Sequence, residues 1–354
     1  MASSVAGSGL FSKARPKNPG SVDPGKGGIA GEVGELRADL QRALFPLAAI
    51  AVEEYTNALA TSTTNVMAAS ATLAAGVVLT STPVAGGGTN ALTKATTDNL
   101  AAAPRQLTFT TAGSTPANAP ATATIYGTDE RGYKTSETVP LSQIAGAVTS
   151  GNFFLGVDRI VYSASKGTGA TIAIGLGASI GLSRPLKKRA GAYAVIREVS
   201  SGTVVTTGTF KNPSDNTVAS AVGTVNLVDS VPTMPTTQTL VVTIDGVQYS
   251  ITFNNPANLA AIVTQINTAV GKTVASAGGA SNKYLVLSSI LTGAAGSVLI
   301  VSGTTTILTV LGFTASALVR GTSYGKNGSY TPAASLDGAA DFAVYYEFDA
   351  SAIT

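Results

Sequence analysis

Carboxylates, hydroxyls and lysines are the reactive groups this chain can offer, because its 354 residues include no histidine and no cysteine. Asp129 and Glu130 adjoin in one polar run, and Asp337, Asp341, Glu347 and Asp349 crowd the C-terminal end. Two opposed carboxylates at a fixed separation would suit glycoside hydrolysis, and a ring of them would suit calcium. The pattern favours neither. The acids fall in predicted turns or alternate along predicted strands, and no calcium-loop spacing is present. Without histidine there is no Ser-His-Asp relay, and no motif supports a Ser-Lys pair. The glycine runs Gly86-Gly87-Gly88 and Gly175-Leu176-Gly177 lack the Lys-Ser/Thr of a phosphate loop and the strand-to-helix setting of a dinucleotide site. The expectation is a protein without catalytic residues, metal ligands or cofactor.

One cluster of charge stands out: Arg184, Lys187, Lys188 and Arg189. Read blandly it is a solvated turn; read as a site it would contact phosphate or an acidic partner. Elsewhere the 22 basic residues are dispersed, which gives no nucleic-acid footprint. Only 12% of residues are charged, and residues 55–93 and 284–319 carry no charge at all. Glycine, serine and threonine interrupt both tracts, so neither reads as a membrane span. Such tracts suggest surface covered by neighbouring subunits. MASSVAGSGLFSKARPKNPG has no continuous apolar core, so a cleaved secretion signal is not expected.

The elements that must carry these residues are mostly strands. Residues 1–28, with three prolines and six glycines, read as an extended arm, either disordered or laid across a partner. Over 29–60 the text turns helical. Val33, Leu36, Leu40, Ala43, Leu47 and Ile50 follow a 3-4 spacing that puts them on one stripe, with a kink at Pro46. That stripe either packs on its own domain or meets symmetry mates. Low-complexity text follows, and then alternating segments at 106–111, 121–126, 134–140, 153–163, 170–176, 192–199 and 203–211 predict an antiparallel β-sandwich or barrel.

Residues 213–321 change rhythm. LVVTIDGVQYSITF predicts a hairpin turning on Asp245-Gly246. Asn255-Pro256 opens a helix with Leu259, Ile262, Val263, Ile266 and Val270 on one face. Strands at 283–289 and 298–301 and an apolar run at 306–313 close a small α+β module. GAADFAVYYEFD, at 338–349, then alternates as a strong strand that needs an outside sheet. The expected order is therefore a mainly β chain whose all-β base domain, 61–212 plus 322–354, is interrupted by an inserted α+β domain at 213–321. Three domains in line are the alternative.

ATATIYGTDERGYKTSETVPL at 121–141, FFLGVDRIVYSASKGTGATIAIGLG at 153–177 and the 179–210 segment, together with DGAADFAVYYEFD at 337–349, resemble a β-domain recurrent in virion proteins of tailed bacteriophages. VTIDGVQYSITFNNPANLAAIVTQINTAV at 242–270, with KYLVLSS at 283–289, resembles small insertion domains of phage surface proteins and flagellar hook-associated proteins. The resemblance implies a virion structural component on the capsid surface or at the head-to-tail neck, assembled in the host cytoplasm. Its partners would be copies of itself and major capsid or neck proteins, with no membrane and no specific nucleic acid. It carries over no functional residue. A neck, collar or tail fibre binding a host receptor or glycan is the alternative, for which Tyr324, Tyr330, Tyr345 and Tyr346 form the one dense aromatic group.

Overall fold

A computed structural model of the chain describes residues 49–55, 58–70, 78–80, 103–189, 192–193, 195–200, 203–205, 208–229, 237–333, 336 and 342–349. Residues 1–48, with Val33, Leu36, Leu40, Ala43 and Leu47, lie outside the described residues. The helix expected over 29–60 does not extend to Ile50. Ala49–Tyr55 is a strand, β1, paired antiparallel along its whole length with a strand from the other end of the chain. AIAVEEY can follow either period, and helix propensity is a weak preference that tertiary pairing overrides.

The strands that follow are β2 (Ser62–Ser70), β3 (Val78–Thr80), β4 (Arg105–Gly113), β5 (Thr122–Asp129), β6 (Lys134–Pro140), β7 (Gly146–Thr149), β8 (Phe154–Tyr162) and β9 (Ala170–Gly181). After them come β10 (Lys188–Arg189), β11 (Ala192–Tyr193), β12 (Val195–Ser200), β13 (Thr203–Val205) and β14 (Thr209–Lys211). The next stretch holds β15 (Val218–Val222), β16 (Gln238–Ile244), β17 (Val247–Phe253), helix α1 (Leu259–Val270), β18 (Ala275–Gly278), β19 (Tyr284–Thr292) and β20 (Ser297–Gly303). Helix α2 (Thr305–Leu311), β21 (Leu318–Arg320), β22 (Ser329–Thr331) and β23 (Phe342–Phe348) complete it.

The largest sheet has ten strands, runs β14-β22-β9-β4-β8-β5-β6 and carries β2, β3 and β7 off that path. Its path is open, so among the described residues it is an open antiparallel sheet and not the closed barrel, one of the two expectations. Alternation does the folding in β4 and β5: Leu107 and Phe109, and Ala123 and Ile125, enter one core while their sequence neighbours are only partly buried, whereas β9, which adds Ile172 and Ile174 to that core, is buried continuously over residues 172–176. The β5–β6 hairpin turns through Gly132, whose φ of +85° suits a residue without Cβ. A second sheet, β1-β23-β12-β13, closes on the end of β9 through Phe210, Tyr330, Tyr346 and Phe348.

Among the described residues, strands β15 to β21 pair only with one another, in sheets β15-β19-β18 and β17-β16-β20-β21. Their core draws on residues from Ala219 to Leu311 and shares none with the other two clusters. By contrast β22 joins β9 and β14, and β23 joins β1 and β12. The hairpin turn is two residues, with Ile244 opposite Val247 and Asp245 and Gly246 both at positive φ, the geometry that matches strand twist. Helix α1 begins at Leu259 rather than directly after Pro256. Asn258 caps it by accepting from the Ala261 amide at 2.9 Å, and Leu259, Ile262, Ile266 and Val270 are its buried stripe. The apolar run at 306–313 is largely helix, α2, stopped by left-handed Gly312.

The charge-free tract 284–319 thus has a simpler explanation than subunit contact over much of its length. Leu285, Leu287, Val298, Ile300, Ile307 and Leu311 are spent in the module's own core. Ile290 and Leu291 are the large apolar residues of the tract that stay exposed.

Candidate functional site

Most of the described acids are structural ties. Asp129 Oδ1 accepts from the amides of Arg131 and Tyr133 at 3.0 and 2.9 Å, closing the β5–β6 turn. Asp215 accepts from the Asn212 amide in a capping box. Asp229 pairs with Lys283, and Asp158 with Lys134 at 2.7 Å. Asp245 holds three amides, those of Ile290, Leu291 and Ser297, at 2.8–3.1 Å. Among the described residues no three metal-ligating side chains gather. Asp337 and Asp341 lie outside the description, while Glu347 is buried and 3.5 Å from Lys187 Nζ.

The predicted basic cluster is partly consumed by the chain itself. Arg184 stacks its guanidinium 4.7 Å over the Phe348 ring, and Lys187 serves Glu347. Lys188 and Arg189 form β10 against β11, and their side chains lie outside the description. Next to them Glu53 of β1 accepts from the Ser183 amide and hydroxyl at 2.8 Å each and from the phenols of Tyr55 and Tyr346. Burial, reinforced by the Glu53 charge, holds both phenols above their usual range, so they stay neutral donors. Of the four tyrosines that could have formed an aromatic receptor surface, Tyr330 and Tyr346 are core residues.

The most constructed site joins the α+β module to the large sheet. The chain crosses between them twice, and the crossings lie together. Thr217 donates its amide to Thr322 O at 3.1 Å, its hydroxyl accepts from the Thr322 amide at 3.0 Å, and Asn216 Oδ1 accepts from the Tyr324 amide at 2.8 Å. Beside them Arg320 reaches both parts. Its Nη1 donates to Thr149 O at 2.9 Å, Nε and Nη2 donate to Ala294 O at 3.2 and 2.6 Å, and Nη2 lies 3.5 Å from Glu137 Oε1. Glu137 in turn accepts from the Gly151 and Asn152 amides at 2.7 and 2.8 Å. Every oxygen and nitrogen of this pair is occupied. Two clefts of about 410 and 450 Å³ flank Arg320, and apart from Arg320 their charged lining residues are Glu137, already tied to it, and Lys326. Chemically the arrangement can fix an angle. Sequence spacing gave no signal for it, since Glu137 and Arg320 are far apart in the chain.

Glu130 is different: it is buried beside Asp129, and Asn327 Nδ2 lies 3.3 Å from its Oε1. Burial raises its pKa and the Asp129 charge adds to this, while a hydrogen bond from its own backbone and the positive charges of Arg131 and Lys326 oppose it. A carboxyl whose folded pKa exceeds its unfolded one favours the fold below the unfolded value and loses that benefit as pH rises through the folded value. Glu130→Gln, which keeps the acceptor for Asn327, is therefore expected to raise the melting temperature at neutral pH and to flatten its decline just above the carboxylate range. Thermal melts of both proteins at several pH values check this. Equal slopes would show that Glu130 is not the titrating group.

No protein-family model, curated protein or solved structure matches the chain.

Proposed function

We propose that this chain is a non-enzymatic structural protein of a tailed-phage virion, most simply a capsid decoration protein that associates with copies of itself and with capsid or neck proteins. In this reading the N-terminal region and the β-sheet base attach to the particle, and residues 213–321 form an inserted module that projects from it. The observation that carries the proposal is how charge and apolar surface are divided. Across 213–321 there are six charged residues, Asp215, Asp229, Asp245, Lys272, Lys283 and Arg320, and all but Lys272 are engaged in the ties described above. Meanwhile six of the eight large apolar residues exposed among the described residues, Val218, Val222, Val228, Val247, Ile290 and Leu291, belong to this module. A surface with little free charge and repeated exposed valine suits association more than solvation or electrostatic capture of a substrate.

The expected result is a particle map in which the chain occupies many equivalent positions on the shell, or one closed ring if it sits at the neck. Purified chain should also self-associate as concentration rises. A chain that stays monomeric at its highest soluble concentration and fails to sediment with particles would overturn the proposal.

A further inference from the structure

We infer that the free edge of β17 is a self-association site, at which β17 of one copy pairs antiparallel with β17 of a second copy about a two-fold axis. The inference deepens the self-association part of the proposed function and rests on it. A sheet edge presents a row of main-chain donors and acceptors that a second strand can pair with, and folded proteins usually blunt such edges. Among the described residues the other edges are short, charged or irregular: β3 has three residues and β7 four, and the pairing of the longer β2 with β9 shifts register twice. At one end of the large sheet β6 carries Lys134, Glu137 and Pro140, and at the other β14 has three residues. In the second sheet β1 carries Glu53 and Glu54, and β13 has three residues. In the module β18 has four residues, β15 is bulged against β19, and β21 has three residues including Arg320.

Strand β17 has none of these devices. VQYSITF spans seven residues with no charge and no proline, and all seven pair with β16 in one unbroken register. Among the described residues it pairs with β16 alone. Ile251 and Phe253 point into the module core, while Gln248, Ser250 and Thr252 are exposed. The hairpin and α1 therefore hold the strand rigidly, with one long edge open.

The second copy is the occupant because the edge is complementary to itself. An antiparallel pair centred on Ser250 sets Val247 opposite Phe253, Gln248 opposite Thr252, Tyr249 opposite Ile251 and Ser250 opposite Ser250. No like charges meet, apolar faces apolar and polar faces polar, and seven residues match seven. A charged partner strand would find no counter-charge on β17.

The test uses the whole chain and light scattering coupled to size separation. Ser250→Lys and Ser250→Glu each set like charges opposite one another across the axis, and each is expected to weaken self-association by about tenfold or more. Mixing the two variants should restore the wild-type size, since lysine then faces glutamate, and restoration also shows that both variants are folded. Oligomers that persist in both single variants, or a mixture that remains dissociated, would overturn the β17 pairing while leaving self-association in place. A wild-type chain that is monomeric throughout would overturn both.

Discussion

Replacing Arg105 with alanine is expected to destabilise the protein by about 3–5 kcal/mol, and with methionine by about 2–4 kcal/mol. Arg105 is fully buried at the start of β4, and among the described residues its hydrogen-bond partners include no carboxylate. Its guanidinium instead donates to carbonyls: Nη1 to Leu59 O at 2.9 Å, Nε to Gly177 O at 2.9 Å, and Nη2 to Gly177 O, with Thr61 Oγ1 3.4 Å away. Burial lowers its pKa to about 10, so it is cationic at neutral pH. That desolvation costs on the order of 3 kcal/mol, and hydrogen bonds from a charged donor, roughly 1.5–3 kcal/mol each, offset it. Removing the cation also removes the cost, but it leaves two part-buried carbonyls without their donor, and alanine adds a cavity. Lysine should fall short too, because one ammonium on a flexible stem does not reproduce the planar fork. Equilibrium denaturation measures the series without any disulfide to complicate it. A loss under about 1 kcal/mol for alanine would show that the segment before β2 is not held to β9 by this side chain.

Arg105 also shows how far the sequence could be read. In RQLTFTTAG it shares parity with Leu107 and Phe109, which marks it as inward-facing even though arginine is rarely buried. The alternation was legible, and the charge distracted from it. Features whose cause is local came through well. The Asp245-Gly246 turn needs only two residues of suitable backbone freedom, and the α1 stripe needs only its own spacing. Strand β1 did not come through, because its identity rests on pairing with β23, nearly the whole chain away. The tract 284–319 misled for a related reason: absence of charge reports burial but not which surface does the burying. At the junction, Glu137 and Arg320 look like ordinary surface charges of a strand until the fold brings them to 3.5 Å.

That junction decides whether residues 213–321 are held rigidly to the large sheet or only tethered to it, and the two chain crossings come close at Gly321. A Cβ there would overlap the carbonyl oxygen of Thr217 and lie 2.5 Å from that of Gly293. Both obstacles are backbone, so a rotamer change cannot relieve them, and the two crossings must separate. Separation breaks the Thr217–Thr322 bonds and pulls Arg320 from Thr149 O, while the module core between Ala219 and Leu311 is untouched. Gly321→Ala is therefore expected to cost about 2–4 kcal/mol and to divide unfolding into two steps, because the parts no longer report on one another. Amide hydrogen exchange should accelerate at residues 216–217, 321–324 and 151–152, with α1 keeping its protection. Gly146→Ala is the control: its Cβ would meet only Ser142 Oγ, at 3.6 Å, and its effect should stay within about 0.5 kcal/mol. If Gly321→Ala unfolded in a single unchanged step, or if α1 lost protection together with the crossings, the module would be an integral part of the base. The Arg320–Glu137 pair would then be one packing contact among many rather than the tie that sets the module's angle.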